Sequence, residues 1–372
     1  MSTGTRPYKQ IVSFLMENIE QTGYTPNYRL PSERMLSIKF QASRRSIRLA
    51  YDKLIEQGYI TKVHGKGYFT TNNIGILLNE KPHSSKKIYF IIPALKTSFS
   101  QDILYGISDF CDKHYLDVSI KLSKSNLTKE TQYINSAFYS DAKGIILFPT
   151  DNEAYNEALV KLSASRYPIT IIDRYFENIN SSFISTDNYN AIITAIEFLH
   201  NKKHKNILYL TSPEKLATTV KERLKGYAEG IKKYYGVETK RHILVVDNFS
   251  FEEIYSNVTD YLSRNPEIEV IMVVGWQVAT DAVIAAVNSL NLSIPKDIKL
   301  MLFDCDFSST EINLLQPYVI QQDAYQIGYK AASTLYNQIY GDLRVETVRL
   351  PIKIIDYTIY QRKITTLADL TE

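Results

Sequence analysis

Apolar positions along this chain follow two rhythms. In the first seventy residues Ile11, Phe14, Leu15 and Ile19 recur at helical spacing behind Pro7, a residue suited to a first helical turn. Ser32 can cap a short helix holding Met35, Leu36 and Phe40. Ser43 can cap a third helix, whose inward stripe is Ile47, Ala50, Tyr51, Leu54 and Ile55 and whose stop is Gly58. Residues 59–63 and 68–71 are β-prone runs joined by His64-Gly65-Lys66-Gly67, a hairpin signal. The pattern predicts three helices and a hairpin over residues 1–71.

Residues 72–86 lose this periodicity and gather Asn, Pro, Ser and Lys, as a linker does. From residue 87 short apolar runs alternate with helical patterns. The runs are 88–92, 118–120, 144–148, 169–172, 183–185, 207–210, 243–246, 270–274 and 300–303; helices are expected at 101–114, 190–201 and 276–290, among others. Continuously apolar strands separated by helices imply parallel sheets covered on both faces. Nine strands exceed one ordinary sheet, so the spacing predicts an α/β body, 87–372, of two lobes. Lobe one takes about 87–186 and 322–342, lobe two about 187–321 and 343–360. Ligands of such sheets sit beyond the carboxyl ends of the strands.

Bulk properties narrow the function classes. With 44% apolar and 22% charged residues the chain is globular, and no apolar run has the length of a membrane span. The N-terminus lacks the apolar core of a secretory signal, and Cys111 and Cys305 are too few for a disulfide framework. A cytoplasmic location is expected. The net charge of +3 is unevenly divided: residues 1–72 hold eleven Lys and Arg against five acids, leaving the rest mildly acidic. A basic head on an acidic body suggests that the head alone meets a polyanion.

Arg44, Arg45 and Arg48 crowd the start of the third helix beside Ser43 and Ser46. A recognition helix reads a major groove with its N-terminal residues, and Arg carries the fork that pairs with guanine. The stretch LPSERMLSIKFQASRRSIRLAYDKLIEQGYITKVHGKGYF resembles the winged helix-turn-helix of the GntR family of bacterial regulators. By that resemblance Arg34, Ser43, Arg44, Ser46 and Arg48 contact DNA, and His64 and Gly65 reach a minor groove. Arg45 and Lys66 are assigned to phosphates.

The body offers planar polar and aromatic side chains at strand ends: Phe99, Asp173, Arg174, Asp187, Arg223, Phe249, Trp276 and Asp304. Polyols call for carboxylate and guanidinium partners and an aromatic face. The segments GIILFP (144–149), IDRYF (172–176), ISTDNYNA (184–191), ERLKGY (222–227) and IPKDIKLMLFDCD (294–306) resemble the LacI/GalR effector domain, a relative of periplasmic sugar-binding proteins. So does IQQDAYQIGYKAASTL (320–335). The resemblance implies that Arg223 chelates sugar hydroxyls, Asp304 opposes it and Phe249 packs on the ligand. Trp276 stands where that family has Asn, which favours a pentose or deoxyhexose; a sugar phosphate is also open. A short hinge helix, usual between head and body in LacI proteins, is not expected in 72–86.

Together these readings describe a homodimeric DNA-binding repressor of carbohydrate genes, with operator DNA and a monosaccharide as partners, no cofactor and no catalytic residues. Two alternatives carry other chemistry. A GntR-type head can precede an aminotransferase-like body holding pyridoxal phosphate, but no catalytic-lysine context follows a strand near residue 300. A periplasmic solute-binding protein would lack the basic head. His200 and His204 share a helix face without a third metal ligand.

Overall fold

A computed structural model describes residues 7–23, 25–72, 74, 86–150, 156–176, 179–213, 217–236, 242–247, 250–275, 277–341 and 344–359. Two compact units divide at Ser85 and Lys86. The expected linker, apart from Asn72, Ile74 and Lys86, lies outside the described residues, and with it the hinge-helix question.

In the head, α1 (Pro7–Gln21), α2 (Glu33–Phe40) and α3 (Arg44–Glu56) precede a hairpin of β1 (Ile60–Val63) and β2 (Gly67–Thr70). Ser32 and Ser43 cap α2 and α3, each hydroxyl accepting a backbone N–H three residues on at 3.2 Å. The strands pair antiparallel, and Gly65 and Gly67 have φ of 72° and 115°, left-handed values that a glycine adopts at little cost. Ile11, Leu15, Ile19, Leu36, Ile47, Tyr51 and Leu54 form one core, as the helical spacing requires.

The body holds two six-stranded sheets. The first runs β13–β7–β6–β5–β3–β4 and is parallel throughout, from β3 (Lys86–Ile92), β4 (Leu116–Leu122), β5 (Gly144–Leu147), β6 (Ile169–Ile172), β7 (Ser182–Thr186) and β13 (Thr347–Leu350). The second runs β14–β12–β11–β10–β8–β9, from β8 (Ile207–Thr211), β9 (His242–Val245), β10 (Val270–Val273), β11 (Lys299–Phe303), β12 (Tyr318–Gln321) and β14 (Lys353–Asp356). Only β14 is antiparallel to its neighbour. Each sheet has an apolar cluster on either face, so β5, β6, β7, β8, β10 and β11 are buried at every position. The lobed α/β fold expected from the apolar runs is present. No described helix is long and apolar enough to cross a membrane.

Two details depart from expectation. Strands β12, β13 and β14 follow the nine foreseen, and residues 343–360 do not all belong to the second lobe: β13 pairs with β7 and widens the first sheet. The chain crosses between lobes at Thr186–Asn188, at Gln322–Ala324 and again between β13 and β14. The first two crossings each open a helix with an aspartate cap, Asp187 for Asn188–Asn201 and Asp323 for Ala324–Tyr340.

These crossing helices lie against the first helix of the lobe they enter. Ala324–Tyr340 meets Ser98–Lys113 through Gly106 and Gly328; Asn188–Asn201 meets Thr218–Tyr235 through Gly226 and Gly230. A Cβ on Gly106 would stand 2.1 Å from the Tyr325 carbonyl oxygen, and one on Gly328 2.0 Å from that of Ile103. Backbone atoms cannot step aside as a flexible side chain would. Gly106→Ala is therefore expected to cost about 1–3 kcal/mol by forcing the helices apart, a loss of stability visible in thermal or urea unfolding of the whole chain. An unchanged transition would show that the two helices are less tightly joined than these distances require.

Candidate functional site

Two surfaces carry the chemistry, one in each unit. On α3 the residues 44, 45, 48, 49 and 52 form one exposed face, opposite buried Ile47, Ala50, Tyr51 and Leu54. Arg44 and Arg45 open a helix with no acid in its first turn, so two cations stand at the positive end of the macrodipole. An external anion resolves that conflict. Arg34 on α2 and His64, Gly65 and Lys66 at the hairpin tip are also exposed.

Three of the expected DNA contacts have partners within the protein. Ser43 and Ser46 share the helix cap, their hydroxyls 3.0 Å apart. The Arg48 Nε donates to Glu33 at 3.2 Å, while its side chain stays 61% exposed and its terminal nitrogens can still face outward. Glu33 also accepts from Tyr68 at 2.9 Å, and Tyr68 stacks on Tyr51 with ring centroids 3.8 Å apart. Burial works to raise the Glu33 carboxyl, yet the hydrogen bonds from Tyr68 and Arg48 bring it below its usual value. Burial and the bond to Glu33 push the Tyr68 phenol up to about 12. One carboxylate thus fastens α2, α3 and the hairpin together. Sequence reasoning passes over Glu33 as a site residue because its partners lie fifteen and thirty-five positions away.

In the body, β6 and β11 end on aspartates in equivalent conformations. Asp173 (φ 65°) donates its N–H to Ile184 at 3.0 Å, and Asp304 (φ 59°) donates to Ile320 at 2.9 Å. Asp is among the few L residues that tolerate this left-handed turn. Arg223, on the Thr218–Tyr235 helix, is charge-coupled to both carboxylates. Its guanidinium lies 3.6 Å from the Phe303 ring centroid, and its Nε donates to Asn188 Oδ1 at 2.6 Å. Arg174 Nε is 3.4 Å from an Asp173 oxygen and its guanidinium carbon 5.7 Å from the Phe148 ring centroid; Phe148 in turn meets Phe99 edge-on.

The electrostatics are those of a crowded, desolvated cluster. Burial pushes Asp173 up to about 6; Arg223 pulls it down, and Asp304 and Glu222 push it up again. Burial raises Asp304 too, offset by hydrogen bonds from Gln322. Burial lowers Arg223, and it brings Arg174 down to about 10 with help from Arg223. A ligand able to donate and accept hydrogen bonds in pairs can replace water around such groups.

The expected effector residues therefore divide. Asp173, Arg174, Arg223 and Asp304 come together, with Phe99 behind Phe148. Asp187 serves instead as a helix cap, its carboxylate accepting from Asn190 N at 3.2 Å and from Asn190 Nδ2 at 2.7 Å. Its neighbour Asn188 is the one that meets Arg223. Phe249 and Trp276 lie outside the described residues. His200 packs on Tyr234 and Tyr235, whereas His204 faces Tyr318 and Glu269.

Gln322 was not foreseen. Its amide donates to Asp304 Oδ2 and accepts from Thr186 Oγ1, both at 2.6 Å, while Asn188 Nδ2 donates to the Thr186 carbonyl at 3.1 Å. A hydrogen-bonded path thus joins Arg223, Asn188, Thr186, Gln322 and Asp304 through the first two interlobe crossings. Further from the hinge, Glu222 binds Arg349 at 2.8 Å and Tyr175 at 3.3 Å, and Asp306 accepts from Ser98 N at 2.8 Å. All three contacts span the lobes.

Residues 88–343 match the model of a family described as periplasmic binding protein domain, and residues 7–70 that of bacterial regulatory proteins, gntR family. The arabinose metabolism transcriptional repressor of Halalkalibacterium halodurans is 21% identical over 89% of this chain and 88% of its own length. The ribose operon repressor of Haemophilus influenzae is 21% identical over 70% and 76%. Among solved structures, the transcription regulator CcpA of Lactococcus lactis aligns with TM-score 0.62 at 16% identity, over 73% of this chain and 98% of that one. A periplasmic binding protein/LacI transcriptional regulator from Alkaliphilus metalliredigens, complexed with D-xylulofuranose, aligns with TM-score 0.59 at 19% identity, over 73% and 98%. These matches are to a two-lobed receptor body, not to the aminotransferase-like alternative.

Asp173 gives this site a pH signature. Its folded value lies above the unfolded one, so its ionisation in the fold opposes stability as pH rises from about 4 through 6. Asp173→Asn should stabilise the ligand-free protein at pH 7.5, by roughly 2–3 kcal/mol, and the gain should shrink toward pH 5, where the wild-type carboxyl is mostly protonated. Thermal unfolding at the two pH values measures it; a gain that grows on acidification contradicts the assignment.

Proposed function

We propose that this chain, which belongs to the periplasmic binding protein domain family and carries a gntR-family regulatory head, is a DNA-binding transcriptional repressor of carbohydrate-utilisation genes that a small sugar releases from its operator. The observation that carries the reading is the meeting of Asp173, Arg223 and Asp304 at the ends of strands from two lobes. Arg223 would donate to adjacent hydroxyls, Asp173 and Asp304 would accept from them, and the Phe303 and Phe148 rings supply apolar faces nearby. Relatives named for arabinose and ribose, and a similar fold holding D-xylulofuranose, direct the search to five-carbon sugars.

In this reading Arg44 enters the major groove, Arg34 and Arg48 contact the DNA beside it, Arg45 and Lys66 hold phosphates, and His64 and Gly65 approach the minor groove. The capping roles of Ser43 and Ser46 make them supports of α3 first and DNA contacts second. Two copies of the chain would read the two halves of a pseudo-palindromic operator. Sugar closes the lobes, and closure disfavours the spacing that the operator requires. Coupling of this kind is about 1–3 kcal/mol per site and reciprocal, so operator DNA weakens sugar binding by the same factor.

Mobility shifts of the intact protein on its own upstream DNA test the reading, with and without a panel of pentoses. A protein that ignores duplex DNA at low salt overturns it. Arg44→Ala should lose about 1–3 kcal/mol of specific binding while non-specific binding falls less. Arg223→Ala should leave operator binding intact and abolish release by sugar; retained calorimetric binding of the sugar by that variant removes Arg223 from the site.

A further inference from the structure

We infer that the body selects an uncharged polyol and rejects its phosphate ester, because the arginines and the helix end at its cleft are already matched by carboxylates of the chain itself. The inference rests on the reading of the body as a sugar receptor and narrows the class of sugar.

A phosphate ester needs a cation with spare capacity or a row of open helix N–H groups. Three arginines stand at the carboxyl ends of the sheets. Arg223 feels the charges of Asp173 and Asp304 and donates to Asn188. Arg174 has Asp173 at 3.4 Å and the charge of Glu130 beside it. Glu130 is buried, accepting from Thr150 N at 2.8 Å and Asn156 Nδ2 at 3.0 Å. Arg349 is held by Glu222 at 2.8 Å. Among the described residues, five carboxylates therefore stand against these three guanidinium groups when Asp306 is included. That balance repels a dianion, and a low-dielectric setting strengthens the repulsion.

Three of four helix ends here are matched in the same way. The sixteen-residue Ser98–Lys113 helix points its N-terminus at the opposite lobe, where an anionic ligand could rest. Asp306 occupies it instead, reaching across from the loop after β11 to accept from Ser98 N at 2.8 Å. Thr97 Oγ1 accepts from Ser100 N at 3.2 Å. Asp187 and Asp323 fill the corresponding positions of the two crossing helices. The Thr218–Tyr235 helix has no side-chain cap, but it carries Glu222 one turn in, so an arriving phosphate would meet a carboxylate there as well. Exposed Lys96 is outside this pairing. Hydroxyl groups meet no such obstacle, since each carboxylate can accept from them.

The test pairs free sugars with their own esters on the full-length protein: ribose, arabinose and xylulose against their 5-phosphates, with inorganic phosphate as a separate probe. Calorimetry at pH 7.5 should find a free sugar binding at least about tenfold tighter than its ester, with no response to inorganic phosphate. Asp306→Asn, which removes one charge and keeps the helix end partly occupied, should narrow that gap. An ester that binds as well as the free sugar overturns the charge selection and leaves the sugar reading standing. If no free sugar or ester binds, the sugar reading falls and the inference with it. A gap unchanged in Asp306→Asn, in a variant that still binds the free sugar as the wild type does, removes Asp306 from the selection.

Discussion

A guanidinium taken out of water must be matched, and in this body the matching of Arg223 sets the arrangement around it. Its partners are drawn from both sides of the hinge: Asp173 from the end of β6, Asp304 from the end of β11, Asn188 from a crossing helix and Phe303 beneath. Asp173 alone comes from the other lobe, so its approach to Arg223 requires the two sheets to present their carboxyl ends to one another. Leaving such a charge unpaired would cost several kcal/mol. The ends of β6 and β11 answer this demand with the same device, an aspartate in the left-handed turn whose own N–H is tied to the neighbouring strand.

The head rests on a smaller version of the same logic. Glu33 joins α2 to Arg48 on α3 and to Tyr68 on the hairpin, and Tyr68 stacks on Tyr51. The exposed arginines of α3 are therefore mounted on a helix braced from two directions. A rigid mount matters for base reading, where a bidentate contact tolerates little tilt.

The sequence makes some of this legible and hides the rest for identifiable reasons. Parallel strands announce themselves as apolar runs, and nine of them are visible in the chain alone, including the half-exposed edge strands β4 and β9. The edge strand β13 alternates Thr-Val-Arg-Leu over four half-exposed positions, and β12 offers three apolar residues before a Gln pair, so neither stands out from a loop. The serine caps are local and readable. Gln322, Asn188 and Glu130 are not, because an isolated amide or carboxylate shows no pattern, and the hydrogen bond from Thr186 to Gln322 spans 136 residues. Asp187, an acid at a crossover, has a local role that is equally hard to see in the sequence: the amide three residues on uses it as a cap.

Neither lobe is a continuous piece of chain. The first sheet ends with β13 and rests against the Ala324–Tyr340 helix, both supplied after the second lobe has been traversed. A ribosome must therefore release nearly the whole polypeptide before the earliest-made sheet can close its own core. Until then its apolar face waits uncovered, a window in which a newborn chain has reason to meet a chaperone before it meets an operator.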